Sequence, residues 1–125
     1  MNTLIIAVGG ALGSMARYGT GRLMLGFLGA AFPYGTLAVN LIGCLLMGII
    51  SGVFAFKEQS GQWQLFLATG IMGGFTTFSA FSLDAVLLWQ RGQAGLAISY
   101  VLISVLGGLA LLCAGLWLGR QLFGG

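Results

Sequence analysis

The stretch GGFTTFSAF, from Gly73 to Phe81, lies inside a long apolar run and combines glycine, hydroxyl-bearing and aromatic residues. Glycine costs about 1 kcal/mol relative to alanine in a helix interior, and β-branched threonine is also unfavourable there. The stretch therefore predicts that a helix is interrupted near Gly73–Thr77. Backbone carbonyls freed within a membrane need a partner, and bound cations supply one in broken-helix transporters.

The composition of the chain places this stretch in a membrane protein. The 125 residues are 58% hydrophobic and 6% charged, whereas soluble domains carry about 25% charged residues. Four apolar runs each reach the ~20 residues that a helix needs to cross the bilayer, and barrel strands would be about half as long. We expect one all-α domain, residues 1–125, with four transmembrane helices over residues 3–28, 35–56, 63–89 and 94–118.

Several classes of function do not fit this composition. The chain has no histidine and only two carboxylates, and its loops are short, so we expect neither an enzyme nor a nucleic-acid-binding protein. The N-terminus lacks a positive segment, and its apolar run is too long for a signal peptide. Cys44 and Cys113 lie in apolar runs and are expected to be free, buried, small hydrophobic residues.

The positive charges do not favour one orientation in the membrane. With four spans, Lys57 and Arg120 lie on one side, whereas Arg91 lies on the other, together with any contribution from Arg17 and Arg22. The positive-inside rule needs a clear asymmetry to orient a protein. The hypothesis is therefore that the chain inserts both ways and forms an antiparallel, dual-topology homodimer; the alternative is that a weak bias suffices.

Small residues recur at a spacing that lets membrane helices approach closely. The pattern fits a dimer interface, and it fits contacts within one subunit equally well. The pairs, each four residues apart, are Gly9 and Gly13, Gly48 and Gly52, Gly70 and Gly74, and Gly115 and Gly119.

Polar side chains form stripes within the apolar runs. Thr36 and Asn40 are four residues apart, as are Tyr100 and Ser104, whose stripe continues to Gly108. Such residues are costly in lipid and usually face a protein interior or a pathway. Asn40 is the most conspicuous, because its amide offers two donors and an acceptor. It either lines a pathway or bridges two helices.

The character of these stripes suggests the charge of a transported ion. They are neutral and rich in donors, in a chain of net charge +3, which suits a small anion. An exporter of organic cations would need a buried carboxylate, and only Asp84 qualifies. Phe78 and Phe81 are three apart and share a helical face, so their positive ring edges could meet an anion. The alternative is that both rings are lipid-facing or core bulk.

Three segments carry a resemblance to the CrcB/Fluc family of fluoride channels: GIMGGFTTFSAF (70–81), GALGSMARY (10–18) and GTLAVNLIGC (35–44). The resemblance covers nearly the whole chain, in order. It implies a dual-topology dimer with two antiparallel pores in the cytoplasmic (inner) membrane of a bacterium. Such proteins export fluoride passively and confer fluoride resistance. They hold a structural sodium ion through main-chain carbonyls at the dimer centre.

The resemblance also implies site residues. Phe78 and Phe81 would form a paired aromatic box, with Asn40 as the pore asparagine. Gly73 and Thr76 would offer carbonyls to sodium, and two subunits would supply four oxygens. The remaining pathway residues implied are Thr36, Thr77, Ser79, Tyr100, Ser104 and Arg17.

The chain departs from the family pattern at three positions. Ala80 stands where threonine is frequent, Phe75 where leucine is usual, and Gly108 where a hydroxyl is expected. Two other functions stay open: a small multidrug-type exporter, also a dual-topology four-helix protein, and a non-transporting membrane scaffold. The lack of a carboxylate in the first span argues against the exporter.

Overall fold

The computed structural model describes residues 1–54 and 61–123, and every regular element within them is helical. Helix α1 spans Asn2–Leu28 and α2 spans Tyr34–Phe54. Helix α3 consists of an α-helical turn, a wide π-helical stretch and a final turn; α4 is a single helix; and α5 also contains a π-helical stretch. Their bounds are Gly61–Gln64, Leu65–Met72 and Gly73–Phe75 for α3, Phe78–Gln90 for α4, and Ala94–Leu102, Ile103–Gly107 and Gly108–Phe123 for α5.

Three stretches in the described part of the chain are long and apolar enough to cross a membrane. They are Tyr34–Phe54, Gly61–Gln90, which joins α3 to α4, and Ala94–Leu122. Helix α1 is long, with 27 residues, but Arg17 and Arg22 lower its hydropathy, and it is not among them. A fourth crossing by α1 therefore stays a prediction. The predicted loop at 57–60 and the predicted end of the second span at 55–56 lie outside the described residues.

Glycines with positive φ end two of the helices. Gly29, at φ 80°, follows α1, and its N–H donates to the Leu25 carbonyl. Gly92, at φ 79°, follows α4 and bonds to the Trp89 carbonyl, while the Gln93 N–H bonds to the Leu88 carbonyl. This pair of bonds is the Schellman arrangement, in which glycine is favoured because it has no Cβ. It turns the chain back directly into α5.

The glycine pairs bring helices together within one subunit. A methyl group on Gly9 would lie 2.9 Å from the Gly70 Cα, so α1 and α3 touch backbone to backbone. One on Gly48 would lie 3.0 Å from the Gly115 Cα, and one on Gly52 would lie 3.1 Å from the Gly119 Cα. All four pairs therefore serve contacts inside the chain, the second of the two interpretations that the spacing left open.

Two small apolar clusters complete the packing. Val39 of α2 packs with Met72 and Phe75 of α3. Leu88 of α4 packs with Ala97 and Tyr100 of α5. Helix α2 also lies along the last part of α5, from Gly108 onward, whereas α4 and the first part of α5 pack chiefly against each other. Helix α4 and the first part of α5 are thus held less tightly to the other helices than the last part of α5 is.

The cysteines differ from each other in exposure. Both are free, but only Cys44 is partly buried, whereas Cys113 is exposed. The prediction that Cys113 is buried was wrong. Gly115 and Gly119 form the face of α5 that contacts α2, and a residue two positions before Gly115 lies on nearly the opposite face of a helix.

Candidate functional site

The break between α3 and α4 falls on two threonines. Thr76 has φ −88° and ψ 157°, and Thr77 has φ −152° and ψ 123°, so both are extended. The Thr77 hydroxyl accepts a bond of 3.2 Å from the Ala80 N–H and caps α4. This confirms an interruption at the predicted place, but Gly73–Phe75 remains helical. Threonine favours both extended backbone and the N-cap position, so it carries the break.

The side chain of Asn40 holds the break from α2. Its Nδ2 donates to the Thr77 carbonyl at 2.9 Å, and its Oδ1 accepts from the Thr77 N–H at 2.8 Å. In an uninterrupted helix that N–H would bond to the Gly73 carbonyl. Asn40 therefore bridges two helices, which was one of its two interpretations. The clamp uses one of the two N–H donors that an amide carries.

Arg17 reaches the same break from α1. Its Nε donates to the Gly74 carbonyl at 3.0 Å in a partly buried position. Arg17 and Arg22 also line a cavity of about 260 Å³ that extends to Thr36 and Thr77. The guanidinium of Arg17 thus satisfies a main-chain oxygen near the end of α3 and contributes positive charge to a cavity beside it.

A second cavity, of about 310 Å³, is lined by Asn40 and shares Thr77 with the first. We call it the break cleft. No acidic or basic side chain lies among its described lining residues. The polar or aromatic residues that line it are Asn40, Thr76, Thr77, Phe78, Phe81 and Ser104. Six of the residues singled out from the sequence therefore converge on one cavity.

Ser104 is the polar residue of the cleft that lacks a partner. Its Oγ is buried and makes no hydrogen bond within the described residues. A buried hydroxyl without a partner costs free energy. Ser104 lies in the π-helical stretch Ile103–Gly107 of α5, and such local widening of a helix is frequent at functional sites. The unpaired hydroxyl therefore makes the cleft suitable for binding a polar ligand or an ion.

The two phenylalanines lie together at the edge of the cleft. The ring centroids of Phe78 and Phe81 are 5.7 Å apart, with an interplanar angle of 50°. Phe78 is 78% exposed in the chain, whereas Phe81 also packs on Tyr100, at 5.3 Å. The Phe78 ring is therefore accessible at the edge of the cleft, whereas the Phe81 ring lies between the cleft and the buried Tyr100.

Tyr100 does not join the cleft. Its side chain is fully buried, and its hydroxyl donates to Asp84 Oδ2 at 3.3 Å. Asp84 was not among the predicted site residues, although its place three residues after Phe81 puts it on the same face of α4. Asp84 and Thr36 line a separate cavity of about 310 Å³ with Arg91. Each predicted stripe thus places one residue at the break cleft, Asn40 or Ser104, and its partner, Thr36 or Tyr100, outside it.

The remaining predicted residues lie around the break. Ser79 is exposed, and its Oγ lies 3.3 Å from the Thr77 hydroxyl. Gly73 is exposed and Thr76 is partly buried. No cluster of histidine, cysteine or acidic residues that could hold a metal occurs in residues 1–54 and 61–123. The oxygen atoms at the break belong to main-chain carbonyls, to the hydroxyl groups of Thr76, Thr77 and Ser79, and to the Asn40 amide.

Comparison with known proteins places these features in a family. Residues 4–116 match the family described as CrcB-like protein, Camphor Resistance (CrcB). A Fluoride-specific ion channel FluC of Paracoccus denitrificans is 52% identical over 121 residues, which cover 96% of this chain and 95% of that protein. The protein of the same name from Rhodopseudomonas palustris is 53% identical over 123 residues, 98% and 96% of the two chains. That of Cereibacter sphaeroides is 54% identical over 113 residues, 90% of each. The chain therefore belongs to the CrcB-like family.

Proposed function

We propose that this protein is a passive, fluoride-selective ion channel that exports fluoride and confers fluoride resistance. One observation carries the proposal: the break cleft joins Asn40, two phenylalanine rings and the unpaired Ser104 hydroxyl, and no charged side chain is among the described residues that line it. The relatives named as fluoride-specific ion channels support the choice of ion.

The chemistry of the cleft suits a small, strongly hydrated anion. An ion can leave its water only if the path supplies replacement dipoles. The cleft offers the Ser104 hydroxyl, the second N–H of Asn40 and the ring edges of Phe78 and Phe81, which carry positive partial charge. Arg17 adds a positive field beside the break, which favours anions over cations.

The proposed assembly is an antiparallel homodimer with dual topology in the cytoplasmic membrane. The nearly balanced positive charges on the two sides support insertion in both orientations. The exposed Phe78 ring and the sparse packing of α4 and the first part of α5 against the other helices favour a second copy covering the cleft. Each cleft would then be closed into a pore.

The resident cation would be a structural sodium ion at the dimer centre. The fit of a sodium ion rests on the carbonyl oxygens of Gly73 and Thr76 at the break. The extended Thr76 residue turns its carbonyl out of the helical direction, and the Thr77 N–H that would occupy the Gly73 carbonyl is engaged by Asn40. Carbonyl oxygens are hard ligands of the kind that bind sodium in broken-helix transporters. When bound, the ion would add positive charge beside the pathway.

Two rival functions make different predictions. A multidrug-type exporter would need a carboxylate in its pathway, and Asp84 lies outside the break cleft, where it accepts a bond from Tyr100. A scaffold would conduct no ion at all.

The test is fluoride efflux from liposomes that contain the purified protein, with a protonophore present to collapse any proton gradient. A channel is expected to release fluoride down its own gradient under these conditions. In a parallel assay without the protonophore, efflux that requires an imposed proton gradient would favour the exporter. Absence of efflux from a folded dimer would favour the scaffold.

A further inference from the structure

Thr76 is held on three sides at the break. Its hydroxyl donates to the Met72 carbonyl at 2.9 Å, and its own N–H bonds to the same carbonyl at 3.0 Å. Its Cγ2 methyl group lies against Gly43 of α2, in the space that a Cβ on that glycine would occupy. Gly43 is buried, so the methyl group is enclosed on this side.

The two residues of the break are thus fixed by one face of α2. Asn40 clamps the backbone of Thr77, and Gly43, three positions later on the same helix face, receives the methyl group of Thr76. The Phe75 ring lies 3.5 Å from a Cβ built on Gly43, so the surroundings are filled. A side chain at position 43 could be accommodated only if Thr76 moved.

We infer that Gly43 is a positioning residue for the Thr76 carbonyl, acting through the Thr76 methyl group that it receives. Its role is to leave a methyl-sized recess in α2 that sets the rotamer and backbone of Thr76. This inference rests on the proposed function, because it concerns the carbonyl through which Thr76 would bind sodium. Gly43 lines the break cleft but has no side chain to offer to either ion.

Side-chain volume at positions 43 and 76 should therefore be exchangeable. Gly43→Ala adds a methyl group where the Thr76 methyl group lies, and it should displace the Thr76 backbone. Thr76→Ser removes that methyl group but keeps the hydroxyl that bonds to Met72. The double variant G43A/T76S should therefore restore the geometry that Gly43→Ala alone disturbs.

Two controls separate positioning from general packing. Gly48→Ala overpacks the same helix against α5, far from the break, since its Cβ would lie 3.0 Å from the Gly115 Cα. Gly95→Ala lies in α5 with no heavy atom within 4 Å of the added carbon. Gly48→Ala should lower the melting temperature equally with and without sodium, whereas Gly95→Ala should leave it nearly unchanged.

The experiment measures thermal unfolding of the purified protein across a series of sodium concentrations, with N-methylglucamine as the replacement cation. The parent chain is expected to be stabilised by sodium. Gly43→Ala should raise the half-saturating sodium concentration about tenfold, a change of ~1.4 kcal/mol, and G43A/T76S should return it to the parent value. The sodium dependence of fluoride efflux should follow the same order.

The outcomes distinguish this inference from the proposed function. Sodium could stabilise the parent chain while Gly43→Ala leaves the half-saturating sodium concentration unchanged. That result would overturn the positioning role of Gly43 but not the proposed channel function. Failure of T76S to rescue G43A, with T76S itself like the parent, would also overturn it. If sodium does not stabilise the parent chain while fluoride efflux persists, the sodium site is wrong, and the inference falls with it.

Discussion

The side-chain amide of Asn40 makes two hydrogen bonds to the backbone of one residue, Thr77: its N–H donates and its oxygen accepts. The pattern of polar residues left two interpretations, a helix bridge and a pathway residue, and the structure shows that the bridge also lies at the cleft. One side chain can serve both roles because its amide has two N–H donors and an acceptor, and the contact with Thr77 uses only one of the donors. Sequence spacing could not reveal this, since Thr77 is 37 residues away.

Asn40→Asp is predicted to abolish fluoride efflux. Aspartate has no N–H for the Thr77 carbonyl, which costs about 1–3 kcal/mol if that carbonyl is left unsatisfied, and it places a negative charge beside the pathway. Efflux from liposomes checks the flux, and thermal unfolding checks the stability. Asn2→Asp, the same change at an exposed helix end, is the control. Parent-like efflux in N40D would reduce Asn40 to a purely structural bridge.

Phe78→Ile is predicted to slow fluoride efflux about tenfold, equivalent to ~1.4 kcal/mol of barrier, while leaving the dimer intact. The aliphatic side chain keeps the bulk but lacks the positive ring edge. Phe27→Ile is a matched control, since Phe27 is also 78% exposed and lies outside the cleft.

Phe81→Ile should slow efflux as well, with an added loss of stability because Phe81 packs on Tyr100. Size-exclusion chromatography checks the dimer in both phenylalanine variants. Unchanged flux in both F78I and F81I would remove the aromatic pair from the mechanism.

Within the elements, the sequence predicted a helix broken near Gly73–Thr77, and the structure confirms the break and confines it to Thr76 and Thr77. Glycine propensity pointed to Gly73 and Gly74, yet Gly74 is in a helix because α1 presses against it: a Cβ there would lie 3.1 Å from the Gly10 Cα. The extended backbone falls on Thr76 and Thr77 instead. Local propensity cannot distinguish a glycine that loosens a helix from one that admits a neighbouring helix.

Close packing through glycine is expected to dominate stability. Gly74→Ala and Gly115→Ala would each insert a methyl group into backbone-to-backbone contacts and should lower the free energy of unfolding by about 1–3 kcal/mol. Unfolding of the purified protein in detergent measures this, with Gly95→Ala as the control in open space. Equal free energies of unfolding for all three variants would contradict this, because they would show that the contacting helices can move apart without loss of stability.

The polar stripes were only partly predictable for a related reason. Thr36 and Asn40 share a face of α2, yet they line different cavities, because the break at Thr77 lies between them. Tyr100 and Ser104 also separate: one bonds to Asp84, and the other faces the break cleft. The π-helical stretch that begins at Ile103 changes the rotation per residue, which an assumption of regular helix cannot include.

At the scale of the whole molecule, the account depends on two copies in opposite orientations. A single cysteine at the exposed turn residue Gln93, in a chain whose Cys44 and Cys113 are replaced by alanine, should be labelled by impermeant reagents from both sides of the membrane. The control adds Gln90→Arg, which raises the positive charge of that side and should restrict labelling to one side. One-sided labelling of Gln93→Cys alone would contradict dual topology.

If the break cleft is part of a selective fluoride path, fluoride and chloride should differ sharply in their efflux from liposomes holding the purified protein. Rapid release of fluoride and negligible release of chloride are expected. Equal release of both ions, or release of neither, would contradict the selective path.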